Sequence, residues 1–157
     1  AVSSVYSRYH LENLIKSLRY EYDRYRHPFS ILVFELSWLA SGTTLPSASE
    51  IKAKAGLFFK KNIRGVDEAG SWDNNTFLVL MPHTVKKGAL KAANRLAFLA
   101  EQYFKNSFFS KEVKINVKTT VLTFPDEELT INALLEKADF NIVPLEKQKL
   151  SQSLPNS

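Results

Sequence analysis

Two apolar runs of strand length constrain this chain more than any other feature. Phe29 to Leu36 (FSILVFEL) and Thr76 to Met81 (TFLVLM) carry none of the polar alternation that a strand with one wet face shows. In the second run Phe77, Val79 and Met81 alternate with Leu78 and Leu80, so both faces are apolar. Such strands need cover on both sides, which requires a sheet with helices packed over each face. Ile, Val and Phe in the first run favour the same assignment.

The rest of the chain supplies that cover. Leu11, Leu14, Ile15 and Leu18 form a helical stripe within 6–26, with Arg8, Glu12, Lys16 and Arg19 off it, and Pro28 ends the segment. Arg19 reads as an uninvolved surface cation. Residues 40–46 (ASGTTLP) are loop-like. Ser47 with Glu50 forms a capping box, and Ile51, Ala55, Phe58 and Phe59 carry an amphipathic helix to about Ile63. Val66 to Trp72 is a strand joined to the Thr76 run by Asp73-Asn74-Asn75, residues suited to a tight turn. A helix over 84–106 turns Ala89, Ala93, Leu96, Leu99, Ala100 and Tyr103 inward. Phe104, Phe108 and Phe109 close one end of the core. Val113 to Thr123 alternates through Val113, Ile115, Val117, Thr119 and Val121. A short helix begins near Thr130 with Ile131, Leu134, Leu135 and Ala138 inward. The order is α-β-α-β-β-α-β-α: one α/β domain over 1–147, its mixed, mostly antiparallel central sheet flanked by helices, and a flexible tail over 148–157.

With 157 residues the chain suffices for one core and not for two. The absence of Cys excludes disulfide scaffolds, thiol enzymes and thiolate-zinc sites, and fits a reducing, cytoplasmic setting. No apolar run approaches the roughly 20 residues that span a bilayer, and the polar opening AVSSVYSRYH is no signal peptide. The net charge of +5 leans only weakly toward an anionic partner, since 15 of the 21 basic residues are Lys spread over helix faces. His10, His27 and His83 lack metal-ligand spacing and read as surface or turn residues. Tyr and Arg interleave on the first helix, a mixture that can bind nucleic acid but also serves protein contacts.

Several landmarks in this order resemble the GGDEF domain, the nucleotide-cyclase-like palm that makes cyclic di-GMP from two GTP. Val5-Tyr6-Ser7-Arg8 is similar to the family's L-Y-N-R helix start, and Arg26-His27-Pro28 to the segment before its first strand. Trp72 to Pro82 (WDNNTFLVLMP) resembles YGGDEFAVLLP, with Phe77 on the motif's Phe. Phe124-Pro125 and Ala138-Asp139 match its late FP and AD.

The resemblance implies a catalytic site that this chain lacks. Metal-assisted phosphoryl transfer needs carboxylates and backbone able to approach phosphates closely. The family's Gly-Gly is Asp73-Asn74, where side chains intrude and Asp repels a triphosphate. The following acidic pair is Asn75-Thr76. The first strand's Asp-x-Asp is Glu35-Leu36-Ser37, with Glu35 left as a lone carboxylate at a strand end. The guanine-binding Asn falls near Thr43, the base-contacting GD is Ala48-Ser49, and SIG is Lys118-Thr119-Thr120. The late phosphate-binding Lys and Arg face Glu146, and Pro144 breaks that helix. The expectation is a domain that is not an enzyme and has no cofactor or metal.

One family site is retained. An inhibitory Arg-x-x-Asp for cyclic di-GMP stands five residues before the turn in the family, and here Arg64-Gly65-Val66-Asp67 precedes the spacer Glu68 to Trp72. It is the sole Arg-x-x-Asp in the sequence. At one assigned position chance gives it a few times per thousand, by composition alone (~1 in 20 for each residue type). Arg95 matches the family's third member on the following helix. An Arg fork suits guanine O6 and N7, Asp suits its N1–H and amine, and two Arg neutralise phosphate. Arg and Asp three apart also form local ion pairs. The resemblance therefore implies a cyclic di-GMP receptor in bacterial signalling, of the kind controlling exopolysaccharide (biofilm) export or motility. It would have an upstream sensory module or protein partner, a homodimer being possible, and a membrane-anchored parent protein is compatible with it. The alternative is a scaffold that dimerises or regulates a neighbouring domain and binds no nucleotide. Residual GTP binding is disfavoured by Asp73 and Asn74.

Overall fold

The structure, a computed structural model, describes residues 7–40, 47–107 and 113–136. The elements run α1 (Arg8–Tyr25), β1 (Phe29–Ala40), α2 (Ala48–Asn62), β2 (Glu68–Asp73), β3 (Thr76–Pro82), α3 (Lys86–Ser107), β4 (Val113–Phe124) and α4 (Glu128–Glu136), the order expected from the sequence. The four strands form one sheet in the order β2-β3-β1-β4, and all three pairings are antiparallel. The strands built on the two mostly apolar runs, β1 and β3, are its interior strands. Val5, Tyr6, Thr43, Phe108, Phe109, Ala138, Asp139, Pro144, Glu146 and the tail over 148–157 lie outside the described residues.

The period of a strand divides the core in two. Leu32, Phe34, Leu36, Phe77, Val79 and Met81 face α2 and α3, where they meet Ile51, Ala55, Phe58, Phe59, Ala93, Leu96 and Phe104. Ile115, Val117 and Val121 of β4 flank that cluster. Phe29, Ile31, Val33, Leu78 and Leu80 face the other way, against Leu11 and Ile15 of α1 and Ile131 and Leu134 of α4. Gly70 allows α1 to close on the sheet: a Cβ there would come within 2.7 Å of the Leu11 side chain. A register shift between Ser71 and Asp73 makes Trp72 an extra residue in β2, and its ring joins the α1–α4 core.

Some boundaries differ from expectation. Helix α1 stops at Tyr25 because Arg26 turns left-handed (φ 61°) and returns its N–H to the Tyr22 carbonyl. Pro28 confirms a stop already made. Strand β1 runs on to Ala40, pairing with β4 beyond the last residue that β3 reaches, so Glu35 is mid-strand. Strand β2 begins at Glu68, because residues 64–67 form a turn. Arg19 is not a bystander. Its guanidinium lies 4.4 Å over the Phe124 ring and donates to Asn132 Oδ1 at 2.8 Å, fastening α4 to α1. Arg8 likewise covers the Trp72 ring at 4.3 Å. Two of the arginines that interleave with tyrosine on α1 are thus spent on packing.

Candidate functional site

The site expected from the sequence begins where α2 ends. Asn62 donates its side-chain amide to the Phe58 carbonyl, Ile63 turns extended, and a tight turn follows in which Asp67 N–H donates to the Arg64 carbonyl at 3.0 Å. The turn folds the Arg64 side chain over Asp67. Arg64 Nη2 donates to Asp67 Oδ1 at 2.8 Å and Nε to Oδ2 at 3.1 Å, while the Arg64 backbone N–H donates to Oδ2 at 3.1 Å. The Asp67 side chain is 2% exposed beneath a guanidinium that is 52% exposed. This charge-assisted pairing raises the Arg64 pKa above its ordinary value.

A residue that the sequence reading missed completes the arrangement. Arg64 Nη2 also donates to Thr84 Oγ1 at 3.0 Å. The Thr84 hydroxyl donates in turn to the Pro82 carbonyl, and the Thr84 carbonyl accepts from Ser30 Oγ, which bonds Thr123 Oγ1. The Arg64 fork is thus anchored through a line of hydroxyls to three strands. Nη1 has no hydrogen-bond partner among the described residues, and the side chain as a whole is half-exposed. Arg95, in mid α3, donates Nη2 to the Asn62 carbonyl at 3.2 Å, two residues before Arg64. The fold therefore brings Arg64 and Asp67 into contact and places Arg95 at the same end of α2. A groove of about 470 Å³ lined by Leu57, Phe58, Lys60, Lys61, Asn62 and Tyr103 adjoins them.

The β2–β3 turn is held by its own substituted residues. Asp73 Oδ1 accepts from Asn75 N–H at 3.1 Å, and the Asn75 side-chain amide donates to the Leu36 carbonyl at 3.3 Å. Asn75 thus ties the hairpin to β1. Glu35 sits between Thr76 and Lys118 in the sheet register, and its Oε1 is buried with no hydrogen-bond partner. Burial first, then the Asp73 carboxylate, push the Glu35 carboxyl above the usual carboxylate range, with Lys118 pulling the other way. These residues do not fit a Mg²⁺ site of the kind the resemblance implies. The half-buried Glu35 carboxylate is penalised by desolvation when charged, Asp73 is engaged in its own turn, and Lys118 stands opposite Glu35 in the sheet register. Ala48 and Ser49 open α2.

The three histidines do not all behave as isolated turn residues. Among the described residues His27 and His83 meet at Glu21, the single place where three potential metal-ligand side chains converge. Spacing along the chain gave no sign of this, because Glu21 and His83 are 62 positions apart.

No family model matches the sequence, and no curated protein matches it. Solved structures do. The GGDEF domain of FimX from Pseudomonas aeruginosa is similar over 87% of this chain and 85% of its own, with 14% identity and a TM-score of 0.67. The GGDEF domain of DgcB from Caulobacter crescentus, solved in complex with c-di-GMP, is similar over 86% of this chain and 81% of its own, at 8% identity and a TM-score of 0.65. A DGC protein from Thermotoga maritima is similar over 87% and 96%, at 16% identity and a TM-score of 0.63. No helix among the described residues is long and apolar enough to cross a membrane. The four-stranded antiparallel sheet with helices on both faces is the fold of GGDEF domains.

Proposed function

We propose that this domain is a non-catalytic receptor for cyclic di-GMP, gripping the ligand through Arg64, Asp67 and Arg95. The observation that carries the reading is the half-exposed Arg64 fork, held in place by buried Asp67 and by Thr84, with Arg95 brought to the same end of α2. A preset guanidinium loses little freedom on pairing with guanine O6 and N7. At 2% exposure, Asp67 positions Arg64 first and reaches guanine donors only if Arg64 swings aside. That the same fold holds c-di-GMP in DgcB supports the choice of ligand. Catalytic silence is the second half of the proposal. It rests on the side chains of Asp73, Asn74 and Asn75 at the hairpin and on the absence of a fitting carboxylate pair.

A specific observation also favours the alternative, a nucleotide-independent scaffold. All three residues already have structural work: Arg64 and Asp67 pair with each other, and Arg95 caps α2. Exposed Tyr9, Tyr20 and Tyr25 on α1 then offer a surface for a second copy or a neighbouring domain.

Calorimetry with cyclic di-GMP and GTP side by side separates the two. The receptor reading expects micromolar affinity for cyclic di-GMP, about −8 kcal/mol, and no cyclic di-GMP made from GTP with Mg²⁺ or Mn²⁺. Arg64→Lys keeps a cation over Asp67 but removes the fork, and should weaken binding by about 1–3 kcal/mol. Lys16→Ala, exposed on α1, should change nothing. No heat and no melting shift at saturating cyclic di-GMP decides for the scaffold, and turnover above a blank overturns catalytic silence.

A further inference from the structure

The sheet register puts two histidines side by side. Phe29 at the start of β1 pairs with Pro82 at the end of β3, so His27, two residues before Phe29, and His83, just after Pro82, emerge at the same rim. Both backbones are constrained. His27 follows left-handed Arg26 and precedes Pro28, which biases it away from the helical region. His83 is itself left-handed (φ 52°), a conformation that His adopts more readily than most residues. The rings lie 4.3 Å apart between centroids, tilted by 51°.

Both rings aim a nitrogen at one oxygen. His27 Nδ1 stands 2.9 Å from Glu21 Oε2, and His83 Nε2 stands 2.8 Å from the same atom. The three ligand atoms all lie within 4.8 Å of one another. The side chains are 45%, 55% and 33% exposed for His27, His83 and Glu21, so they can shift and an ion can enter from solvent. A tetrahedral transition metal with bonds of about 2.0–2.1 Å spaces its ligands about 3.4 Å apart. The two Glu21–His separations, 2.9 and 2.8 Å, and an upper limit of 4.8 Å for all three bracket that value. The ligand atoms therefore need shift by only about an ångström to meet one ion. Two imidazoles with one carboxylate suit Zn²⁺ and its neighbours, whereas Mg²⁺ and Ca²⁺ prefer all-oxygen ligands.

We infer that Glu21, His27 and His83 form a surface binding site for a transition-metal dication of the Zn²⁺ class, with a water completing a tetrahedron. On binding, the ion takes the place of the two N–H donors that Glu21 Oε2 faces. Each imidazole then presents a lone pair at Nδ1 (His27) or Nε2 (His83), and its proton sits on the other ring nitrogen or leaves to solvent. The ion would tie the end of α1 to the β3–α3 turn. The site shares no residue with the proposed dinucleotide site, so either can fail alone.

The test uses the full chain without a histidine tag. Zn²⁺ is titrated by calorimetry in a non-chelating buffer, with Co²⁺ as a spectroscopic probe and Mg²⁺ as a competitor. One Zn²⁺ per chain, a rise in Tm, tetrahedral Co²⁺ absorption and no competition by Mg²⁺ are expected. His27→Ala should weaken Zn²⁺ by at least about tenfold, since even loss of a group that merely supports a ligand costs about that much. His83→Asn, which keeps a residue tolerant of the left-handed backbone, should do the same, and Glu21→Gln should weaken it in the same direction. His10→Ala should bind as wild type does. Absence of a Zn²⁺-dependent heat and Tm shift in the wild type would overturn the site. So would one-to-one binding that survives the His27→Ala/His83→Asn double substitution while the variant still melts cooperatively.

Discussion

Asp67 and Glu35 are both carboxylates drawn into the fold, and their surroundings make them opposites. Asp67 gives both oxygens to Arg64, whereas Glu35 leaves Oε1 buried and unpartnered. The Arg64–Asp67 pair is asymmetric in exposure, so its two deletions should cost unequally. Asp67→Ala frees a half-exposed guanidinium that water can solvate. Arg64→Ala strands a buried carboxylate and should cost about 1–3 kcal/mol, the larger of the two losses by urea denaturation. An equal or reversed order would mean that Asp67 is reached by solvent. For Glu35 the folded-state pKa lies above the unfolded value of about 4.3, so the native state holds the proton more tightly. Stability should fall as pH rises through the window from the unfolded value to the raised folded one, then stay level. Glu35→Gln removes that slope and should melt higher than wild type at pH 7. A melting profile with the wild-type slope below neutrality would count against the burial of this group. The sequence showed which residue stood at position 35, but its half-buried, mid-strand position follows from β1 running on to Ala40. The polar Ser37 concealed that extension.

Elements whose identity rests on periodicity were the most legible. Strands β1 and β3 announced themselves by being apolar on both faces, and the stripes of α1 and α3 predicted their inner residues. The stretch at 64–67 was less legible, because Val66 has strand propensity while the Arg64–Asp67 pairing closes a turn. Contacts made by tertiary register were not legible at all. Thr84 beneath Arg64 and Asn132 beneath Arg19 depend on which turns the sheet brings together, and no local pattern encodes that. The interior position of β3 yields a sharp expectation. Val79→Asp or Leu80→Asp puts an unpaired charge into one or the other half of the core, a change in the exceptional class above about 4 kcal/mol. The domain should not fold at neutral pH, as judged by loss of a cooperative melt and of solubility. Arg19→Ala should be milder: it loosens α4, lowers Tm and leaves the α2–α3 face unchanged. A variant with wild-type Tm would show that the contacts with Phe124 and Asn132 carry no net stability.

At the scale of the whole molecule, the sheet is a partition with a separate apolar cluster on each side. All four strands pass between the clusters: Ala69 of β2 and Val121 of β4 belong with the first, Trp72 and Leu122 of the same strands with the second, and alternate residues of β1 and β3 serve both. That arrangement couples the faces, because a strand cannot leave one cluster and keep its place in the other. The chain carries two tryptophans, and they report on opposite sides. Trp38 lies at the edge of the α2–α3 cluster and Trp72 within the α1–α4 cluster. Trp38→Phe leaves fluorescence to Trp72, and Trp72→Phe leaves it to Trp38. Ile51→Val trims the first cluster and Ile15→Val the second, each costing roughly 0.5–1.5 kcal/mol. Both probes should report one transition, coincident with far-UV circular dichroism. Ile51→Val should shift the Trp72 signal as much as the Trp38 signal, although its side chain lies across the sheet from Trp72. The two substitutions share no partner, so the double variant should lose the sum of the single losses within about 0.5 kcal/mol. Separate midpoints for the two tryptophans would mean that the helices of one face can melt from an intact sheet. In that event the turn holding Arg64 and the rim holding His27 and His83 would belong to independently stable halves.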